Sequence, residues 1–437
     1  MTLSLRLPLN GRLEPYRLTG TPVAASNYEP SHTRLAFAAA HVVSDPLADN
    51  SPGAPAVIDW DHTLGFRRHL WSLGLSVAEA MDTAQRGMGL DWPATQELIR
   101  RSAAEAPRRA ANAARGAGDA RGGASAGSAG AEGADSARSE ADGAHRAGAS
   151  RGAVESAGGS EKRIAVGVGT DQLPAGVHPL DAVIGAYEEQ LALAEEVGAQ
   201  PILMASRALC AAATSPDDYR KVYDRLLGQS SRPVILHWLG SMFDPALDGY
   251  WGSGSLDTAA DVVVDLINEN STKVDGIKVS LLDASKEIAL RKRLPEGVRL
   301  YTGDDFNYPE LIRGDGERYS DALLGIFAAI APAAAAALKA LDDGEPAKYE
   351  EIFAPTVPLA RQIFSAPTYY YKTGIAFLAW LNGHQPGFGM VGGLQTGRSL
   401  PHLADTFRLA DAAGVLTSPE LATDRFKQLL RVGGIDA

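Results

Sequence analysis

Short apolar runs alternate with longer amphipathic segments along most of this chain. Eight of these runs have the length and the apolar content of buried strands. The predicted strands are Leu35–Val43, Leu75–Met81, Ile164–Val168, Pro201–Ala205, Pro233–Leu239, Gly276–Ser280, Arg299–Tyr301 and Ala322–Phe327. Eight such runs separated by helical segments predict an α/β fold, a (β/α)8 TIM barrel over residues 33–332.

The segments between these strands repeat their apolar residues at helical spacing. The predicted helices are Thr63–Leu70, Pro93–Arg101, Pro179–Glu196, Pro216–Leu227, Thr258–Asn268, Ser285–Arg293 and Tyr308–Ile312. The sequence Ser215-Pro216-Asp217-Asp218 is typical of a helix start, with a capping hydroxyl, a proline in the first turn and early acids.

Both ends of the chain depart from this alternation. Every second residue from Leu3 to Leu9 is leucine, and Asn10-Gly11 follows, which predicts an N-terminal β-hairpin within residues 1–20. Residues 333–437 are helical in pattern almost throughout and predict a C-terminal helical extension. Its predicted helices are Ala333–Leu341, Lys348–Ile363, Tyr369–Leu381, Leu403–Ala412 and Pro419–Leu430.

Residues 103–160 form the sharpest break in composition. Of these 58 residues 33 are alanine or glycine, and Val154 is the only large apolar side chain among them. Such a segment has too little apolar surface to offset the entropy lost on ordering. The composition predicts a disordered insertion after the second helix, with a possible helical stretch at its alanine-rich start.

Charge and cysteine content narrow the class of protein. The chain has 437 residues and a formal net charge of -12, which argues against nucleic acid or an anionic membrane as partner. The single cysteine, Cys210, excludes a disulfide framework and a cysteine-based metal cluster. Because neither a signal peptide nor a long apolar run is present, we expect a soluble cytoplasmic protein.

In a TIM barrel the chemistry lies at the carboxyl ends of the strands, and the sixth strand carries an unusual residue there. Lys278 is flanked by Ile277 and Val279. Desolvation by such neighbours lowers the pKa of a lysine and frees its amine to attack carbonyl carbons. A barrel-lining lysine paired with a carboxylate would give the same sequence.

Polar residues also follow the other strands. His237 comes after the apolar run of strand five and is a candidate acid or base, or a hydrogen-bonded core histidine. Polar residues that follow strands two, three and seven are candidates for binding substrate. They are Asp82, Thr83, Thr170, Gly303, Asp304 and Asp305.

Several of these segments together resemble the dihydrodipicolinate synthase and N-acetylneuraminate lyase superfamily. Gly276-Ile277-Lys278 and Gly303-Asp304-Asp305 look like its G-I-K and G-D-D pair. Val166-Gly167-Val168-Gly169-Thr170 is similar to its strand-three segment, and Pro233-Val234-Ile235-Leu236 to its strand-five segment. The apolar helix that contains Tyr371-Lys372-Thr373 also looks similar. The resemblance covers roughly residues 35–381 outside the insertion, and it indicates a divergent branch.

The resemblance implies class I aldolase or lyase chemistry on a TIM barrel, without a cofactor or a metal. It implies that Lys278 forms a Schiff base with a 2-keto acid or a sugar-derived acid, and that hydroxyl and amide groups after strand two hold its carboxylate. It is also compatible with a homo-oligomer, because barrels of this superfamily usually assemble.

Two departures from the family pattern leave alternatives open. His237 stands where the family has a proton-shuttling tyrosine, and Asp82-Thr83-Ala84-Gln85-Arg86-Gly87 replaces its G-T-T-G-E turn. One alternative is a metal-dependent lyase or isomerase that uses imidazole and carboxylate ligands, with His41, Asp82, His237 and Asp304 near strand ends. Another is a catalytically silent barrel that binds a sugar acid.

A glycine-rich motif near residue 390 is interpreted as a loop. Gly387-Phe388-Gly389-Met390-Val391-Gly392 fits the dinucleotide-binding pattern G-x-G-x-x-G. That pattern needs a preceding strand within a βαβ unit, whereas a predicted helix precedes it here. We therefore expect no dinucleotide at this motif.

Overall fold

Eight parallel strands close into a barrel in the computed structural model of the chain, which describes residues 3–24, 26–108 and 162–436. After the hairpin strands β1 (Ser4–Leu9) and β2 (Arg12–Arg17), the barrel strands are β3 (Ala36–Ala39), β4 (Ser76–Glu79), β5 (Ile164–Val168), β6 (Gln200–Leu203), β7 (Val234–Leu239), β8 (Val274–Ser280), β9 (Arg299–Thr302) and β10 (Asp321–Leu324). Neighbours in the barrel are consecutive in the chain, and β10 pairs with β3 to close the ring. The predicted TIM barrel is confirmed.

Helices connect the strands and cover the outside of the barrel. They are α1 (Trp60–Ser72), α2 (Trp92–Glu105), α3 (Leu180–Glu196), α4 (Arg207–Ala212), α5 (Pro216–Gln229), α6 (Leu256–Glu269), α7 (Ala284–Arg293), α8 (Tyr308–Arg313) and α9 (Ile326–Ala329). As predicted, α5 begins after Ser215, and the structure adds a capping box between Ser215 and Asp218. Within the described ranges, every helix is too short or too polar to cross a membrane.

The last barrel strand is shorter than its apolar run. The sequence predicts a strand over Ala322–Phe327, but β10 ends at Leu324 and α9 begins at Ile326. Gly325 separates them, and it lies against the rings of Phe364 and Tyr371. The prediction of the strand end was wrong because the residues after Leu324 are apolar for a different reason, packing under the C-terminal helices.

Six further helices follow the barrel. They are α10 (Ala331–Asp342), α11 (Pro346–Phe353), α12 (Thr356–Ile363), α13 (Tyr371–Leu381), α14 (Leu400–Ala412) and α15 (Pro419–Val432). The single helix predicted over Lys348–Ile363 is wrong, because the structure has two helices there. Pro355 lies at the break, where its missing N–H removes one helical hydrogen bond.

The N-terminal hairpin packs on the C-terminal helices. The side chain of Asp411 on α14 is buried, and it accepts hydrogen bonds from the Tyr16 hydroxyl at 2.7 Å and from the Thr19 N–H at 2.9 Å. The hairpin itself is confirmed, with β1 and β2 paired antiparallel around Asn10-Gly11. The two ends of the described chain are therefore joined by a buried carboxylate.

The predicted start of the insertion was too early. Helix α2 continues to Glu105, and Ala103 is buried in the core. The alanines at the start of the compositional break therefore complete a helix, as their propensity allows. The rest of the predicted disordered segment, residues 109–160, lies outside the described residues.

Side chains along each barrel strand alternate between two separate cores. One core fills the barrel and includes Ile202, Ile235 and Tyr301. The other lies between the strands and the helices and includes Leu236 and Ile277. This alternation decides which residues near the strand ends face the barrel axis.

A buried acid supports the turn that follows β9. Glu287 on α7 is 1% exposed, and it accepts hydrogen bonds from the Thr302 hydroxyl at 3.0 Å and from the Ser320 hydroxyl at 2.8 Å. The Thr302 hydroxyl also accepts a hydrogen bond from the N–H of Asp304 at 3.2 Å. Burial raises the pKa of Glu287 to about 8, which favours the protonated form of this carboxyl near neutral pH.

Glu287→Gln should flatten the pH dependence of folding stability. Because the pKa is raised in the folded state, the stability that Glu287 contributes is full at low pH and is lost as pH rises through about 8. We expect the variant to match the unmodified chain within about 1 kcal/mol at pH 5 and to exceed it by roughly 2 kcal/mol at pH 9. Urea unfolding at the two pH values measures this. Glu351→Gln, at an exposed position, is the control, and an equal effect of Glu287→Gln at both pH values would contradict the raised pKa.

Candidate active site

Lys278 points into the barrel near the carboxyl end of β8. It pairs in register with His237 on β7 and with Tyr301 on β9. Tyr301 belongs to the core inside the barrel, and residues paired across parallel strands face the same side. Lys278 is 7% exposed, so its amine is largely removed from water.

The surroundings of this amine favour its neutral form. Burial lowers the pKa of Lys278 below its usual value, and the nearby carboxylates of Asp82 and Asp305 offset part of this effect. A lowered pKa leaves more of the lysine as free amine near neutral pH, and the free amine is the nucleophile. Ile277 and Val279 face the helices, so it is the interior of the barrel, and not these two neighbours, that removes the Lys278 amine from water.

Gly303 makes room for the lysine side chain. A Cβ atom at this position would lie 2.7 Å from Lys278 Cε and 2.2 Å from Ser280 Oγ. Only glycine lets the backbone after β9 approach so closely. Gly303, a candidate for binding substrate, therefore positions Lys278 in this structure.

His237 lies beside Lys278 on the neighbouring strand and is fully buried. Its Nε2 is 3.3 Å from Ser280 Oγ, and its Nδ1 has no hydrogen-bond partner among the described residues. Burial and the adjacent Lys278 charge lower the pKa of His237 well below its usual value. The imidazole is therefore neutral near neutral pH.

The two aspartates after β9 have different surroundings. Asp304 uses both carboxylate oxygens within its own turn, accepting hydrogen bonds from the N–H groups of Phe306 and Asn307 and from the Asn307 side chain. Asp305 accepts the N–H of Ile326 at 2.8 Å and influences Lys278. Burial raises the pKa of Asp305 to about 7. Of the two, Asp305 is the one that faces the lysine.

The turn after β4 brings polar groups to the end of the barrel at which the strands have their carboxyl ends and Lys278 lies. This end is the mouth of the barrel. Asp82 and Thr83 lie in a 3-10 helix, Asp82–Ala84. The Thr83 hydroxyl is hydrogen-bonded to the Tyr371 hydroxyl at 2.8 Å. Thr170, after β5, is bonded instead to the Ser206 hydroxyl at 2.6 Å, so its hydroxyl belongs to a separate pair.

Sequence reasoning missed Tyr371 as a site residue. Its ring stacks on Phe364 at 4.4 Å between centroids, and it lies 3.1 Å from the position of a Cβ on Gly325. Burial, and next the Asp82 carboxylate, raise its pKa well above the usual value, so the hydroxyl stays protonated. The signal in the sequence was that α13 begins with polar residues although the rest of this helix is apolar.

The metal-dependent alternative gains no support from the described part of the chain. No group of three or more His, Cys, Asp or Glu side chains is placed there to hold a metal ion. His41 Nε2 is 2.9 Å from Gln385 Oε1, and Asp304 is used in its turn.

The glycine-rich motif is a loop, as predicted. It follows α13 and leads into a 3-10 helix, Val391–Gly397, rather than lying between a strand and a helix. The Gln85 side chain donates to the Val391 carbonyl at 2.8 Å, which joins this loop to the turn after β4.

A search by sequence pattern identifies the family. The pattern of the DUF993 family, described as a protein of unknown function, matches residues 5–131 and 125–435. The chain belongs to the DUF993 family. No curated protein matches the sequence.

Solved structures similar to this DUF993 chain are dihydrodipicolinate synthases. The enzyme from Thermotoga maritima is 13% identical at a TM-score of 0.53, covering 88% of this chain and 100% of its own. The enzyme from Bacillus anthracis is 15% identical at a TM-score of 0.52, with coverages of 88% and 97%. The enzyme from Aquifex aeolicus is 12% identical at 0.52, with coverages of 92% and 99%. At this identity the likeness shows the fold, and it agrees with the predicted divergent branch.

Gly303→Ala should destabilise this DUF993 chain because the added methyl group overlaps Lys278, Ser280 and the Val279 carbonyl. We expect a loss of about 1–3 kcal/mol in the free energy of unfolding, measured by urea titration. Gly185→Ala is the matched control, since a Cβ there meets nothing within 4 Å on α3. The control should gain about 0.5–1 kcal/mol. Equal stability of the two variants would show that Gly303 is not packed as described.

Proposed function

We propose that this chain is a class I lyase or aldolase that binds a 2-keto acid, or a sugar-derived acid, as a Schiff base on Lys278. The observation that carries the proposal is the buried amine of Lys278, which lies inside the barrel, has a lowered pKa and is paired in register with a neutral histidine. The dihydrodipicolinate synthase fold agrees with this chemistry.

The reaction begins with attack of the Lys278 amine on the C2 carbonyl carbon of the keto acid, and water leaves as the imine forms. The protonated imine then accepts the electron pair of the breaking C3–C4 bond. The C4 hydroxyl gives its proton to a base and becomes the carbonyl of the released aldehyde. Protonation of the enamine at C3 and hydrolysis of the imine return the free lysine and a shorter keto acid. In the related dehydration of a sugar-derived keto acid, C3 of the imine gives a proton to the base and the C4 hydroxyl leaves as water.

His237 is the base in this proposal. Its neutral imidazole lies on the strand next to Lys278, where it is able to receive a proton without leaving the barrel. The Thr83 and Tyr371 hydroxyls, which are bonded to each other, face the keto-acid carboxylate as donors. Asp305 stabilises positive charge on the lysine and its imine. We place the reaction in the cytoplasm, on the same grounds of composition as above.

Borohydride reduction in the presence of pyruvate and longer 2-keto acids should fix the keto acid to the protein. We expect a covalent mass increase on the intact chain, mapped to Lys278 by peptide mass spectrometry. Because burial lowers the pKa of Lys278, trapping should remain efficient at pH values well below 10.5.

The variants decide whether the adduct is specific. Lys278→Ala should lose the mass increase, whereas Lys292→Ala, which removes an exposed lysine on α7, should keep it. An adduct that survives in Lys278→Ala, or the absence of an adduct with every keto acid, contradicts the Schiff-base proposal. The second result favours a barrel that binds acids without chemistry.

Proton transfer is measured separately by exchange of the pyruvate methyl protons in deuterium oxide. Exchange requires the enamine and a base, so its rate by NMR reports proton transfer without knowledge of the natural substrate. We expect His237→Gln to keep borohydride trapping but to slow exchange by about 100-fold or more. Tyr371→Phe should chiefly raise the pyruvate concentration needed for half-maximal exchange, by about tenfold.

The contrast between these two variants tests the assignment of roles. If Tyr371→Phe slowed exchange at saturating pyruvate while His237→Gln did not, the tyrosine and not the histidine would carry the proton. Lys278→Ala provides the background rate.

A further inference from the structure

A second buried lysine lies at the same mouth. Lys372, in the first turn of α13, is 3% exposed. Its Nζ donates to the Tyr369 carbonyl at 3.1 Å and lies 3.5 Å from the Met88 sulfur, a weak acceptor. Within the described ranges no carboxylate is within 4.0 Å of this ammonium. The ammonium also lies over the Tyr371 ring, 4.8 Å from its centroid. A buried ammonium normally has an anionic partner in contact with it, which Lys372 lacks among the described residues.

The electrostatic surroundings connect Lys372 with Lys278. Burial lowers the pKa of Lys372 to about 8, and the Asp82 carboxylate offsets part of the effect, as it does for Lys278. The charge of one carboxylate therefore acts on both amines. Neither amine forms an ion pair with it among the described residues, so Asp82 does not neutralise both.

Arg207 adds a third cation. It lies in the first turn of α4, directly after β6, and its charge lowers the pKa of Lys372 further. Arg207 and Lys372 both lie against residues 87–88. A Cβ at Gly87 would be 3.5 Å from Arg207 Nη1, and the Met88 sulfur is 3.5 Å from Lys372 Nζ. Asp244 forms an ion pair with Arg207, whose side chain nevertheless stays 55% exposed. The N–H groups of Arg207 that do not bind Asp244 are therefore accessible to another anion.

We propose that Lys372, assisted by Arg207, binds a second anionic group of the substrate, a terminal carboxylate or phosphate remote from the keto-acid carboxylate. This inference rests on the proposed function and specifies its substrate class, a dianionic 2-keto acid. Of the two carboxylates that act on Lys372, Asp244 is already paired with Arg207 and Asp82 also acts on Lys278. An added anionic group supplies the missing partner of Lys372.

Binding of matched acids tests the proposal. Calorimetry compares 2-oxoglutarate with 2-oxopentanoate, which have equal carbon chains and differ in the terminal carboxylate. A second pair, 2-keto-3-deoxygluconate with and without a 6-phosphate, distinguishes carboxylate from phosphate. In at least one pair we expect the unmodified chain to bind the dianion about 10- to 100-fold more tightly.

The Lys372→Met variant should reduce this preference to about threefold or less, while Lys372→Arg keeps part of it. Methionine fits between Met88 and the Tyr371 ring, so the melting temperature should not fall. Lys348→Met, at an exposed lysine of α11, is the control and should keep the full preference. Three results would each overturn the inference. The first is a dianion bound no more tightly than its matched monoanion in both pairs. The second is unmeasurable binding of all four acids, and the third is an unchanged preference in Lys372→Met.

The same measurements in Lys278→Ala separate this inference from the proposed function. The preference for a dianion is non-covalent and should persist there, although borohydride trapping is lost. A preference without any trapping in the unmodified chain refutes the Schiff base alone. Trapping of monoanions and dianions with equal affinity refutes the second anion site alone.

Discussion

Closure of the barrel is the constraint on which the site depends. Because β10 pairs with β3, the strands cannot slide independently, and each side chain faces either the axis or the helices. Lys278 is aligned with His237 on one side and with Tyr301 on the other by this pairing. A slip of one residue would turn the lysine towards the helices, so the register that closes the barrel also places the candidate nucleophile.

Buried charged side chains hold the turn after β4, which faces Lys278. Arg67 and Glu79 are both fully buried and form two hydrogen bonds of 2.8 Å at the end of β4. Ala80 follows with a φ of 53°, a conformation that costs energy for alanine, and its N–H donates to Glu79 at 2.9 Å. Arg86 then binds the Ala80 and Gly167 carbonyls. These charges are used to fix the path of the backbone towards Asp82 and Thr83.

The sequence was sufficient for features that arise locally and insufficient for those that arise from distant packing. The strands and the hairpin follow from apolar runs and from Asn10-Gly11, which act over a few residues. Lys278 was recognised because a charge inside an apolar run is anomalous. Lys372 is the same anomaly, on an apolar helix, but only the packing of α13 against residues almost 300 positions earlier shows that it reaches the mouth. Pro355 is the local signal for the break between α11 and α12, since a proline within a helical pattern removes a backbone donor.

The position of α13 in the chain has a consequence for synthesis. The barrel strands, with Lys278 and His237, leave the ribosome before Tyr371 and Lys372, because the chain is made from its N-terminus. A partly made chain that ends before α13 therefore has the candidate lysine without the tyrosine hydroxyl and the second ammonium. The mouth of the barrel is completed only when α13 has been made and has packed against the turn after β4.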